Sequence, residues 1–184
     1  IIEQGSLPRM DMTRNVPLGF DTTTETPVVP HGIVLTYNIL HSLDSSFNIE
    51  FAGAVFPVIM FAFTIIVFFL FVREIFIRKE KESVIKANII ATISMFLMIV
   101  SPVFLSRTVA GIPEKESAAF FFMFLAFYLY LKAWKSEKLK SSIIYAVFAG
   151  VSTALMGLTW GGVSYIFIPI ALASLIAFVL NKVN

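Results

Sequence analysis

The chain has 184 residues, 58% hydrophobic and only 14% charged, with 20 Phe, a mean hydropathy of +0.86 and a formal net charge of +2. Soluble domains are nearer half apolar and a quarter charged, so the composition is that of a membrane protein, and the small net charge excludes nucleic acid as a charge-driven partner. With no cysteine, disulfides and thiolate metal sites are excluded as well. The first residue is Ile1 and no signal-peptide pattern opens the chain. The sequence is therefore expected to be an excerpt of a longer one.

Residues 1–50 read as a structured external loop. The stretch PLGFDTTTETPVVPHG holds Pro, Gly and a Thr run that break any long helix. Overlapping its end, 28–43 carries Ile33, Val34, Tyr37, Leu40 and Leu43 on one stripe, which predicts a short helix lying along the membrane surface. A long loop inside a compact domain is usually functional or disordered, and the apolar content here disfavours disorder. Arg14 and Asp21 are expected to order the loop as ion partners. His31 and His41, ten residues apart with no partner at helical spacing, are expected in surface polar roles rather than as metal ligands.

Residues 51–184 form the second unit, a transmembrane bundle. A hydrocarbon core about 30 Å thick needs roughly 20 apolar residues in a helix. Five runs approach that length: 51–72, 87–105, 117–131, 142–158 and 163–180. The third is short, but Lys132, Trp134 and Lys135 can snorkel and anchor at the interface, where Tyr128 also suits the aromatic belt. A soluble bundle would need polar outer faces at helical period, and FAFTIIVFFLF (61–71) has none. Nine of the 14 basic residues, Arg73, Arg78, Lys79, Lys81, Lys86, Lys132, Lys135, Lys138 and Lys140, fall in two loops on one side. By the positive-inside rule that side is cytoplasmic. Residues 1–50, the loop 106–116 and the turn at Trp160 then face outward.

The loop SRTVAGIPEKESAAF (106–120) sets Arg107, Glu114, Lys115 and Glu116 between two hydrocarbon runs. Gly111 and Pro113 break the backbone, and Pro113 suits the first position of the next helix, which would place both glutamates in its first turn. One reading is electrostatic: acidic residues there offset the helix macrodipole. The other is chemical: two carboxylates facing water hold a hard divalent cation through oxygen, with Arg107 orienting them by forked hydrogen bonds. Two carboxylates fall short of a complete cage, so a metal would need another acid, substrate oxygens or water.

SRTVAGIPEKESAAFFFMFLAFYLYLKAW resembles the segment around the second acidic motif of oligosaccharyltransferase catalytic subunits, where a Ser-Arg-Thr/Ser-x-Ala-Gly run precedes an acidic pair that opens a membrane helix. SLPRMDMTRNVPLGFD resembles the later part of that family's first external loop, and MGLTWGGVSYIF its Trp-Gly-Gly-aromatic turn before the sixth membrane helix. Many members carry an Asp in the pair where this chain has Glu114 and Glu116. The resemblance, of the archaeal or prokaryotic kind, implies an all-α polytopic bundle of the GT-C glycosyltransferase type in a cell membrane. It implies transfer of a glycan from a polyprenyl or dolichyl phosphate or pyrophosphate to Asn of an Asn-x-Ser/Thr sequon, with Mg²⁺ or Mn²⁺ as cofactor. Glu114 would be a metal ligand, Glu116 a ligand or its close partner with a catalytic part, and Arg107 the group that orients them. Trp160 could touch the lipid donor, although a tight turn with an interfacial anchor accounts for it better. The family's first acidic motif would lie before Ile1 and its WWD-type motif after Asn184. The alternatives are a related lipid-dependent glycosyltransferase with another acceptor, and a transporter or non-catalytic scaffold. A transporter would bring charged or broken helices to the bilayer midplane, where this chain has isolated Ser, Thr and Pro.

Overall fold

The computed structural model describes residues 1, 5, 7–78 and 80–180; residues 2–4, Ser6, Lys79, the Thr24 and Lys81 side chains and residues 181–184 lie outside the described set. Two short strands, β1 (Met10–Asp11) and β2 (Phe20–Asp21), pair antiparallel. Seven α-helices follow among the described residues: α1 (Val28–Leu43), α2 (Ile49–Phe76), α3 (Lys81–Ile99), α4 (Pro102–Ser106), α5 (Lys115–Lys135), α6 (Leu139–Thr159) and α7 (Ser164–Val179). Five are long and apolar enough to cross a membrane: α2, α3, α5, α6, and α7 with the turn before it. The all-α polytopic fold expected from the five apolar runs is thus the observed one.

The boundaries differ where backbone chemistry outweighs hydropathy. The second run was expected to reach residue 105, but α3 stops at Ile99. Pro102 pushes the residue before it out of the helical region, and Ser101 is extended (φ −67°, ψ 120°), which makes α4 a separate five-residue helix. The third span, expected over 117–131, runs from Lys115 to Lys135 because polar residues at both ends remain helical. α2 is 28 residues long, about 42 Å at 1.5 Å per residue, so it outreaches the hydrocarbon core.

The interior closes on small residues of α5. Ala118, Ala119 and Ala126 are fully buried, which lets neighbouring backbones approach. Ala118 packs with Val29, Phe56 and Met60, and Ala119 and Ala126 pack with Met156 and Ile166. Two buried hydroxyls bond to backbone carbonyls: Thr64 donates to Met60 O at 2.7 Å within α2, and Ser152 donates across to Phe122 O at 3.0 Å, joining α6 to α5. The Tyr130 hydroxyl and Ser174 lie 2.7 Å apart and join α5 to α7.

Helix α1 has the expected limits, 28–43, but not the expected stripe. Its buried residue is Val29, with Ile33 packed beside it, whereas Leu43 is 77% exposed. A Cβ on Gly32 would come within 2.7 Å of the Phe56 ring, so α1 is pressed onto α2 through a glycine. The side chains that decide its placement are those facing α2 and α5.

At the end of the bundle rich in Lys and Arg, Glu74 is buried, with Lys132 and Lys135 at 3.7 and 3.8 Å. Lys135 Nζ also donates to the backbone oxygens of Glu74 and, at 3.3 Å, Ile77, so it closes the last turn of α2. Removing a cation that both neutralises a buried carboxylate and satisfies free carbonyls is costly. Lys135→Met is expected to destabilise the bundle by about 1–2 kcal/mol, read as a lower denaturation midpoint in detergent.

Candidate functional site

The site is assembled at the opposite end, beginning with Phe104. Its buried ring stacks on Phe61 of α2 at 5.1 Å and lies 5.5 Å from Phe120 of α5, which fixes α4 against both helices. The Arg107 N–H bonds to Phe104 O at 3.2 Å, and Thr108 Oγ1 donates to the same oxygen at 2.9 Å, so the chain leaves α4 in a defined direction. Gly111 then takes φ +85°, a left-handed conformation that side chains disfavour. Its N–H bonds to Ala54 O on α2 at 3.0 Å, which anchors the loop tip to the bundle.

Arg107 Nη1 donates to Glu114 Oε2 at 2.6 Å and stands 4.0 Å from Glu116 Oε1. The three residues singled out in the sequence are therefore brought together. Two details are corrected. Pro113 is not the first helical residue, because Glu114 is itself extended (φ −70°, ψ 149°) and forms the N-cap of α5, leaving only Glu116 in the first turn. The arginine does not fork between the carboxylates, since one nitrogen serves both. As N-cap, Glu114 makes no side-chain bond to the helix. Its carboxylate goes to Arg107 instead, and its carbonyl accepts from Ser117 Oγ at 2.7 Å. The Glu114 hydrogen bond, with the negative charges of Glu114 and Glu116, raises the Arg107 pKa above its ordinary value.

Sequence reasoning missed Glu25. Its carboxylate pairs with Lys115 at 2.7 Å and with Arg14 at 3.0 Å, joining the segment before α1 to the start of α5. Arg14 in turn lies over the Phe20 ring, 4.2 Å from its centroid. Arg14 thus orders the loop as expected, but through Glu25; Asp21 accepts from Thr23 N and Oγ1 at 3.0 and 2.7 Å and caps a turn. The sequence set Lys115 between Glu114 and Glu116 and held no local signal for a partner ninety residues away. The hydrogen bond from Lys115 holds the Glu25 carboxyl below the ordinary glutamate value, against the opposing effect of burial and with help from Arg14. A depressed folded pKa adds stability that is complete above the unfolded value of about 4.5 and is lost as the pH falls through the lower folded value. Protease protection of residues 9–27 is therefore expected to hold from pH 7 to about pH 5 and to weaken only in stronger acid. A loss already at about pH 6 would contradict the bridge.

Glu114 and Glu116 present hard oxygen donors on one short arc, which fits part of a divalent-cation shell. Among the described residues no group of three or more His, Asp or Glu converges. His31 Nδ1 lies 2.7 Å from Pro27 O, and His41 Nδ1 3.1 Å from Phe47 O with its ring stacked on Tyr37. Trp160 ends α6, packs against the cluster around Met156 and Ile166, and stacks on Tyr165 at 5.7 Å with an interplanar angle of 5°.

Five membrane-length helices with an ion-paired acidic loop at one end define a polytopic α-helical membrane protein. The chain belongs to the family described as "Oligosaccharyl transferase STT3, N-terminal", which matches residues 5–182. No curated protein matches it. Membership implies glycosyltransferase activity in general, within a multi-pass membrane protein whose family takes a lipid-linked oligosaccharide donor and a polypeptide acceptor.

Proposed function

We propose that the chain is the membrane part of an oligosaccharyltransferase that moves a glycan from a polyprenyl or dolichyl phosphate or pyrophosphate to the amide nitrogen of Asn in an Asn-x-Ser/Thr sequon, dependent on Mg²⁺ or Mn²⁺. The observation that carries this reading is the convergence of Arg107, Glu114 and Glu116 on a loop tied to α2. In the transfer, the bond from the sugar C1 to the phosphate oxygen breaks and a C1–N bond forms. The lipid phosphate leaves with the electron pair and the amide gives up a proton. Glu114 and Glu116 would hold the cation, and Arg107 keeps their carboxylates on one side of the loop. When bound, a divalent cation supplies Lewis-acid stabilisation of the departing phosphate oxygens. Glu116, 4.0 Å from Arg107, is the freer of the two carboxylates to accept from the amide N–H and polarise it.

The test is transfer to a labelled sequon peptide by the full-length protein in membranes. Chelation is expected to stop transfer and added Mn²⁺ or Mg²⁺ to restore it. Transfer that survives chelation would remove the metal from the reading, and transfer to a different acceptor would assign the chain to another lipid-dependent glycosyltransferase.

The orientation belongs to the same proposal: the acidic end faces outward, or into the lumen of an internal membrane, and the basic end is cytoplasmic. Ser117, next to the pair, is fully buried, so labelling needs Ile112, which is 53% exposed, and Lys138, which is also exposed. Ile112→Cys and Lys138→Cys are expected to react with an impermeant thiol reagent from opposite sides of the membrane. Reaction from the same side would overturn the orientation.

A further inference from the structure

We propose that Glu25 is a positioning residue for the acidic pair: by holding the Lys115 ammonium, it keeps a second cation away from Glu114 and Glu116. This rests on the reading of that pair as a metal site. Arg107 already serves both glutamates through one nitrogen, at 2.6 and 4.0 Å. Lys115 stands between them in the chain, on a flexible stem that reaches several ångströms. Its ammonium is instead drawn 2.7 Å from Glu25, which is 15% exposed and held from the other side by Arg14 at 3.0 Å. The carboxylates of Glu25, Glu114 and Glu116 thereby balance the cations of Arg14, Arg107 and Lys115. Removing Glu25 leaves the group one positive charge in excess and frees Lys115 to compete for the pair. Removing Lys115 leaves it one negative charge in excess. Both changes break the same bridge, but they alter the field at the pair with opposite sign.

That opposition separates positioning from simple tethering of the loop. The experiment measures Mn²⁺ binding to the full-length protein, purified in detergent at low ionic strength, from the electron paramagnetic resonance signal of the free ion, with Glu114→Gln marking the binding that belongs to the pair. Glu25→Gln is expected to weaken this binding roughly three- to ten-fold and Lys115→Gln to tighten it by a similar factor, with the double variant returning near the wild type. If both single variants weaken binding alike, Glu25 acts as a tether and the proposal falls. It also falls if both leave the Mn²⁺ curve unmoved while Glu114→Gln abolishes it, an outcome that leaves the metal site itself intact. Should the wild type bind no Mn²⁺ that Glu114→Gln removes, the metal reading fails and takes this inference with it. Lys115→Gln keeps the test decisive even if Glu25→Gln fails to fold, because tightening is an outcome that a tether does not produce.

Discussion

Glu114→Gln in the full-length protein is expected to lower transfer turnover roughly 100-fold or more while leaving acceptor-peptide affinity within about two-fold. The substitution keeps the shape of the side chain and removes one anionic oxygen ligand, so metal affinity falls while peptide contacts stay in place. Excess Mn²⁺ should restore part of the rate. Glu114 cannot owe its importance to a capping hydrogen bond, because its side chain makes none with α5. What remains for a purely electrostatic role at the helix start is about 0.3–1 kcal/mol of stability, which would leave turnover per folded molecule unchanged. Glu116→Gln is expected to be milder, since Glu116 lies farther from the arginine, at 4.0 Å against 2.6 Å. Activity per folded protein across a Mn²⁺ titration decides between the two roles, and a wild-type-like curve for Glu114→Gln would sink the catalytic reading of the loop.

The features that were legible in the sequence are those that depend on one dimension. Five membrane helices follow from the length of five apolar runs, and α1 occupies the 28–43 stretch that its apolar residues marked. The Arg107–Glu114–Glu116 cluster could also be read, because seven residues broken by Gly111 and Pro113 must fold back on themselves. The break at Ser101 and Pro102 was lost within an unbroken apolar run, where hydropathy conceals a backbone constraint. The Glu25–Lys115 pair joins residues ninety positions apart, and nothing local to either one specifies the other. The sequence showed only that Lys115 sits among acids; that its ammonium turns away from them depends on where α1 delivers the segment before it. The same applies to α1 itself, whose apolar stripe suggested a membrane-surface helix and whose actual contacts are set by Gly32 meeting Phe56.

Gly162→Ala is expected to cost about 2–3 kcal/mol, the range of an overpacked core, although the position is a turn and its φ of −77° suits any residue. The reason is Trp160. A Cβ on residue 162 would fall inside the van der Waals envelope of the Trp160 ring, which packs against the Met156–Ile166 cluster and stacks on Tyr165. The ring is held on several sides, so relief requires either moving it off Tyr165 or bending the turn that starts α7. If this clash is the whole cause, the cost should vanish when the ring is gone. Gly162→Ala introduced into a Trp160→Ala background is then expected to change stability by less than about 0.5 kcal/mol, giving a coupling energy near the full cost of the single change. The cycle also bears on Trp160 as a donor contact. A side chain committed to packing predicts that Trp160→Ala lowers the denaturation midpoint in detergent while leaving the KM for the lipid-linked donor unchanged per folded molecule. A raised donor KM with an unchanged midpoint would instead place the indole against the substrate.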